Sequence, residues 1–489
     1  MEMNPKKISL FIFVSLGILF GITFLSRGNT DETGAVKDGF AVWNTLVKYP
    51  TTQAFLMTRS VSKEKIEQID SIVANIAQVV DEAEETEATP VSKIPDFSKI
   101  DTARIQRIEY PEDTEAFIQK LKGHLQSGAC RIVHYGDSQL EGDRISAYLR
   151  NRLQGLYGGS GPGFIPVKPV YHQVSAVVTP GGNWLRYAAF DPTKKKFPHK
   201  KYGLYTSVSR FTQPLGVPAD SLDLDTIPLT KATVSIGVSR KSYARLRNFT
   251  KIGLHYGNAQ APVTVKVFNG GALLKEGSLQ TDGAYHNYQI QLAGPPSNLV
   301  IELESKISPD FYGLTLDGPS GILLDNVAMR GASGTIFVGL NSSNFSAMAS
   351  NLNPKVFIFQ YGGNTVPYLK DSTGVDNYSR YVKANINWVR RKAPQASILF
   401  IGPSDMTTTE NGKMLTYKLL PYLNEKLREV CLSNDIAYWS MFDAMGGENA
   451  MSHWVDQKLA ATDYTHFTAK GTKVISELFF TALHLDLTK

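Results

Sequence analysis

The sequence predicts an α/β protein: a three-layer α/β/α domain on a parallel sheet, interrupted by an inserted all-β domain and preceded by an apolar N-terminal segment. Three observations carry this. Short apolar strands alternate with helical patterns on both sides of the middle third, which implies a parallel sheet covered on both faces. The middle third, 165–325, has short alternating strands with turn signals every ten residues or so, the pattern of a β-sandwich, here jelly-roll-like. Lys6 and Lys7 precede Ile8–Ser26, a nearly uncharged run of 19 residues.

That run is about long enough to span a bilayer, which takes roughly 20 helical residues. Lysines on its N-terminal flank keep that end in the cytoplasm. The segmentation is therefore a cytoplasmic N-terminus over 1–7 and a transmembrane helix over 8–26, with the rest of the chain periplasmic or extracellular. Phe24-Leu25-Ser26 offers no good small-x-small cleavage site, which favours a single-pass inner-membrane anchor over a cleaved signal peptide. Secretion after cleavage is the alternative.

The chain has 489 residues, 42% hydrophobic and 20% charged, enough for two or more domains and too apolar for wholesale disorder. A formal charge of +6 fits contact with an anionic polysaccharide or membrane surface, although a slightly basic exported protein is the plainer reading. No stripe of Lys and Arg interleaved with aromatics points to nucleic acid. The two cysteines, Cys130 and Cys431, read as buried free thiols. No His-x-x-x-His or Cys-x-x-Cys spacing occurs, so neither metal nor cofactor is expected.

Residues 27–100 read as a stalk and linker. Ile66, Ile69, Val73, Ile76 and Val80 recur at spacings of three and four, one amphipathic helix that packs on the main domain. An acidic stretch, then Pro90 and Pro95, marks a linker. The α/β domain is divided into 101–164 and 326–489. Its first part holds a helix from Thr114 to Gln126, a strand over Ile132–Tyr135 and a helical face on Ile145, Leu149, Leu153 and Leu156. Gly155–Gly163 then breaks regular structure. In the insert, Val234, Ile236 and Val238, then Val263, Val265 and Val267, then Leu299, Ile301 and Leu303 alternate with polar residues. The second part predicts strands over Val356–Phe359, Ile398–Ile401 and Ile436–Met441, and helices over Asn377–Arg391, Leu415–Leu432 and Lys470–Leu483.

Four pieces carry chemistry, in chain order. Gly136-Asp137-Ser138 follows the first strand. Arg330-Gly331-Ala332-Ser333-Gly334-Thr335 is a glycine-rich turn. Tyr361-Gly362-Gly363-Asn364 follows the Val356–Phe359 strand. Asp463-x-x-His466 precedes the last helix. In an open parallel sheet they fall at the carboxyl ends of strands, where ligands bind. Each suits acyl transfer: Ser138 as nucleophile, His466 as general base, Asp463 fixing the imidazole, and the N–H of Ser138, the N–H of Gly334 and the amide of Asn364 as an oxyanion hole.

In this order the four pieces resemble the blocks of the SGNH (GDSL-type) hydrolase superfamily, over about 101–164 and 326–489. The resemblance implies Ser138, Asp463 and His466 as catalytic and Ser138, Gly334 and Asn364 as oxyanion donors. Gln139 stands where the motif's name has Leu, and Thr365 where many members have Asp; neither removes a catalytic atom. Gly331 competes with Gly334, which is preferred because it follows Ser333 in the family's manner. A β-sandwich between the first two blocks, and the Gly159–Phe164 stretch, are similar to bacterial peptidoglycan O-acetylesterases, whose insert resembles a carbohydrate-binding module.

The expected function is an exported serine esterase that removes O-acetyl groups from a polysaccharide, possibly peptidoglycan. An O-acetyltransferase of the same fold, and a non-catalytic glycan-binding protein, are the alternatives. His453 and Trp454 are open between cleft and core. Lys194-Lys195-Lys196, Lys200 and Lys201 read as a solvated loop, with an anionic glycan as the sharper reading. Asp143 and Arg144 either brace the nucleophile turn or form a helical pair.

Overall fold

A computed structural model describes residues 5–30, 36–42 and 45–49, helical positions 66–67, 69–71, 73–74 and 76, and residues 100–488 apart from 216–220, 222 and 411. The chain divides into two compact units, Met1–Lys63 and Glu64–Lys489.

In the first unit a helix covers Pro5–Ile22. It stops four residues before the end of the apolar run. Thr23 turns its hydroxyl onto the carbonyl of Phe20, and Thr23, Phe24 and Leu25 close i→i−3 bonds that tighten the last turn. Leu10, Phe11, Phe13 and Leu16 are exposed. Among the described residues no helix is long and apolar enough to cross a membrane, so the transmembrane helix expected over 8–26 is not found there. The region expected to be a stalk instead begins with a three-stranded antiparallel sheet, Arg27–Thr30, Val36–Val42 and Thr45–Lys48.

The second unit is built on five parallel strands. Their spatial order is Gly321–Ala328, Ala129–Gly136, Pro354–Gln360, Ser397–Ile401 and Ala437–Trp439. Successive side chains in a strand face opposite sides. Ile132 therefore joins an apolar layer with Phe117, Leu121, Leu149, Leu153, Val474 and Leu478 from helices Thr114–Leu125, Arg144–Tyr157 and Ala469–Leu487. Val133 and Tyr135 join the opposite layer with Phe345, Val375, Val382, Leu423 and Leu427 from helices Ser342–Leu352, Ser372–Arg390 and Leu420–Leu432. Ile69, Val73 and Ile76 are buried in the first layer; Val80 lies outside the described residues. The helix expected from Leu415 starts at Leu420, because Lys413–Thr416 pairs as a hairpin with Thr407–Glu410.

Between the first two strands of the parallel sheet the chain forms two antiparallel sheets. One contains Leu185–Ala188, Ser207–Arg210, Lys251–Gly257, His286–Gln291 and Asp310–Asp317, joined by Gly163–Ile165. The other contains Ala176–Gly181, Thr230–Val238, Thr264–Asn269, Ala272–Ser278 and Leu299–Ser305. Val234, Ile236, Val263, Val265, Val267, Leu299, Ile301 and Leu303 share one buried cluster with Ile252, Leu254, Leu314 and Leu316. Val238, at a strand end, is exposed.

The boundaries differ from 165–325. Gly163–Ile165 already pairs with an insert strand, and Gly321–Ala328 belongs to the parallel sheet. That edge strand alternates Ile322 and Leu324 much as the insert strands do, so its pattern hides the change of sheet. The glycines before the insert are required by close approach. Gly161 has φ +87° and a Cβ there would lie 2.4 Å from Leu316 O; at Gly163, with φ +71°, it would lie 2.3 Å from Leu324 O. Asp325 fastens the insert to the sheet: its carboxylate accepts Arg131 Nη1 at 2.7 and 2.9 Å, Phe164 N at 3.0 Å and Tyr205 Oη at 3.1 Å.

Candidate active site

The first strand delivers Ser138. Asp137 caps a short 3₁₀ turn, Ser138–Asp143, by accepting Gln139 N at 3.0 Å. The first N–H groups of such a turn have no partner within it, which leaves the Ser138 N–H available to a ligand. Gly142 (φ +70°) and Asp143 (φ +63°) then redirect the chain into helix Arg144–Tyr157. The Asp143 conformation is held by a buried bidentate pair with Arg150, at 2.8 and 3.1 Å. Arg150 Nε also reaches Leu324 O at 2.7 Å, and Asn326 Nδ2 reaches Leu140 O at 3.1 Å, so the neighbouring strand braces the turn. Asp143 thus pairs with Arg150 rather than Arg144, which instead donates to Glu141 O and Phe467 O at 3.1 and 3.2 Å.

The loop before the last helix delivers His466. Asp463 Oδ1 accepts the N–H groups of Thr465 and His466, both at 3.0 Å, and Oδ2 meets His466 Nδ1 at 2.8 Å. With Nδ1–H given to the carboxylate, Nε2 is left as an acceptor facing Ser138 Oγ at 2.8 Å. Burial works against the charge on Asp463, but the His466 N–H, its imidazole and the Thr465 N–H outweigh it and hold the carboxyl below its ordinary range. Gln139 Nε2 donates to Thr465 O at 2.7 Å and joins this loop to the Ser138 turn. The departure from Leu at 139 therefore has a positioning role that no periodicity or spacing signals.

The third strand delivers Asn364. Its Nδ2 donates to Asp137 Oδ2 at 3.1 Å and to Ala332 O at 3.2 Å. Gly334 lies two residues beyond Ala332 with φ +79°, and a Cβ there would lie 2.7 Å from the Tyr361 ring. Tyr378 Oη, donating to Ser333 O at 2.8 Å, holds this turn, and among the described residues the Gly334 N–H has no acceptor. A cavity of about 60 Å³ is lined by Ser138, Asn364 and His466 together with Pro403, Ser404 and Met406 from beyond the fourth strand. Asp463 sits behind His466, and Gly334 is not in that lining. The structure thus brings Ser138, His466, Asp463 and Asn364 together, with the Gly334 turn behind Asn364.

Asp137 and the segment Pro403–Met406 were missed from sequence. Pro403–Met406 follows an apolar strand, and that position at a strand's carboxyl end is its only signal. His453 pairs with Asp70, and Trp454 is fully buried with its Nε1 on Met445 O at 3.0 Å, so neither lines the cleft. Both cysteines are buried and free. Among the described residues no cluster of His, Cys, Asp or Glu could hold a metal ion.

The cleft sits at the carboxyl ends of the first and third strands, where the strand order reverses, as expected of ligand sites in open α/β sheets. The fold is that of the SGNH (GDSL-type) hydrolases. Among solved structures, a peptidoglycan O-acetylesterase matches with a TM-score of 0.58 at 20% identity, over 78% of this chain and 99% of that one. A salicylyl acyltransferase from a tetracycline biosynthetic pathway (TM-score 0.28, 12% identity, 62% of this chain and 95% of that one) is more distant. So is a family two carbohydrate esterase from Clostridium thermocellum in complex with cellohexaose (TM-score 0.24, 12% identity, 52% and 93%). No protein-family model matches the sequence, and no curated protein does.

Proposed function

We propose that the protein is a serine esterase that removes O-acetyl groups from a polysaccharide, with peptidoglycan as the first substrate to try. The carrying observation is the hydrogen-bonded series Ser138 Oγ, His466 Nε2, His466 Nδ1 and Asp463 Oδ2, each link 2.8 Å. Ser138 Oγ attacks the ester carbonyl while His466 Nε2 takes its proton, and Asp463 stabilises the imidazolium. The N–H groups of Ser138 and Gly334 receive the oxyanion. The Asn364 amide already donates to two acceptors, so it joins them by exchanging one for the substrate oxygen. His466 returns the proton to the leaving sugar hydroxyl, and water, activated by the same imidazole, releases acetate. The small cavity beside Ser138, about 60 Å³, favours a short acyl group.

The test is acetate release from an aryl acetate and from O-acetylated peptidoglycan, in wild type and Ser138→Ala. Loss of both activities with an unchanged melting temperature is expected. Activity retained by Ser138→Ala would overturn the nucleophile, and acetyl transfer to an added sugar in preference to water would make the enzyme a transferase.

The same proposal places the enzyme at the inner membrane with residues after Arg27 outside the cytoplasm. Lys6 and Lys7 before Ile8–Ser26 support it. Cell fractionation of the full chain tests it, and a soluble mature form beginning near residue 27 would refute the anchor.

A further inference from the structure

A second cavity, of about 350 Å³, lies between the insert and the turn that carries Ser138. Glu141 and Gly142 of that turn form one wall, and Arg186, Phe190 and Lys194 of the insert form the other. Arg186 is the unusual group. Its Nη2 donates to Ser207 Oγ at 3.3 Å, a long bond to a neutral partner, and its buried Nε has no acceptor. By contrast, the guanidinium groups of Arg131, Arg150, Arg152 and Arg210 each meet a carboxylate. Among the described residues no carboxylate forms an ion pair with Arg186. Asp191, the acid that acts on it, turns Oδ1 to Thr193 N and Oγ1 at 2.9 and 2.6 Å. Burial pushes the Arg186 guanidinium down to about 10, as expected of a cation without a close counter-ion.

The surroundings add charge and flat surfaces. Lys194 Nζ is held on Arg186 O at 2.7 Å, which keeps a second cation at the same wall. Arg330 lies over the Tyr171 ring at 5.4 Å and reaches Glu141 at 3.4 Å. Three cations against Glu141 and Asp191 leave one net positive charge, which matches a monoanion better than a dianion. A planar guanidinium with free donors pairs best with a carboxylate, and aromatic walls suit sugar rings.

We propose that this cavity is a subsite for a carboxylate carried by the glycan, with Arg186 as the fork that binds it. The inference rests on the polysaccharide reading above and specifies it: the polymer is acidic, and its carboxylate sits on a sugar beside the acetylated one. The lysine loop thereby acquires a ligand-facing member, Lys194.

Binding can be read apart from catalysis in full-length Ser138→Ala, by ligand-observed NMR at low ionic strength. N-acetylmuramic acid against N-acetylglucosamine, and glucuronate against glucose, are pairs that differ by a carboxylate; the two pairs separate a lactyl from a uronate source. At least tenfold tighter binding of one acid over its neutral partner is expected, and Arg186→Gln should abolish that preference. Lys194→Ala, on an exposed loop, should reduce it several-fold and serves if Arg186→Gln does not fold. Equal affinity for acid and neutral sugar in both pairs would overturn the proposal, as would a preference that survives Arg186→Gln or, in its place, one that Lys194→Ala leaves undiminished. Because Ser138 is absent from the assay, failure of the esterase reading leaves this outcome legible.

Discussion

The side-chain amide of Asn364 donates to the carboxylate of Asp137 at 3.1 Å, joining the turn beyond the third strand to the turn that begins with Ser138. The other Asp137 oxygen accepts Gln139 N at 3.0 Å. One buried carboxylate therefore sets both the Ser138 turn and the orientation of the Asn364 amide.

Burial pushes the Asp137 carboxyl up to about 6, against the Gln139 N–H and the nearby His466, which pull it down. Its ordinary value is 3.8, so the folded protein holds this proton more tightly than the unfolded chain does. The stability it contributes is complete below pH 3.8 and is lost as the pH rises through about 6. The loss amounts to about 3 kcal/mol. Urea unfolding of wild type and Asp137→Asn between pH 4 and 8 should show the wild type losing stability relative to the variant by that order. Parallel pH profiles would count against it.

Asn364→Ala removes the amide from the cleft and should lower kcat on an aryl acetate by roughly 10²–10³-fold, the usual effect of one lost oxyanion donor. KM should change far less, because the interaction forms in the transition state. A loss below tenfold would leave Ser138 N and Gly334 N as the working donors.

Arg150→Met leaves the Asp143 carboxylate in the interior without its cation, with the Ser175 hydroxyl as its remaining side-chain donor. Breaking a buried pair from one side costs about 3–5 kcal/mol. Denaturant unfolding should show that loss. Activity should fall with it, because Asp143 then lacks the partner that holds its left-handed backbone, with φ +63°. Stability within 1 kcal/mol of wild type, by the usual scale for surface pairs, would mean that the pair is dispensable.

Gly334→Ala places a methyl 2.7 Å from the Tyr361 ring at a position with φ +79°. Strain and overpacking together cost about 1–3 kcal/mol. The turn should shift and take the Gly334 N–H with it, so kcat should fall while the melting temperature drops by a few degrees. Gly331→Ala, in the same turn with φ +75° but open space around it, shares the backbone strain without the clash; it is the control and should lower kcat less than Gly334→Ala. A larger effect at 331 would move the oxyanion assignment there.

The candidate site was legible in sequence because its groups sit in short, chemically distinctive segments whose order along the chain is fixed. Asp463-x-x-His466 is a local hydrogen-bonded turn, and Ser138 follows directly from an apolar strand. The role of Gln139 was not legible, since its bond to Thr465 O joins residues more than three hundred positions apart. Trp454 was ambiguous for the same reason: an aromatic near a motif lines a cleft or fills a core depending on how its helix rotates.

What the sequence by itself determined was the alternation of elements, the interruption of the α/β domain and the set of candidate site residues, because periodicity and turn chemistry act over a few residues. Tertiary structure decided the rest. It assigned Gly321–Ala328 to the parallel sheet, since a short apolar strand carries no mark of which partner it will pair with. It set Asp143 against Arg150 and left Arg186 at a cavity wall with no carboxylate paired to it among the described residues. Both outcomes depend on which distant side chains are buried together, and burial decides whether a charge must find a counter-ion in the protein or is left to find one in a ligand.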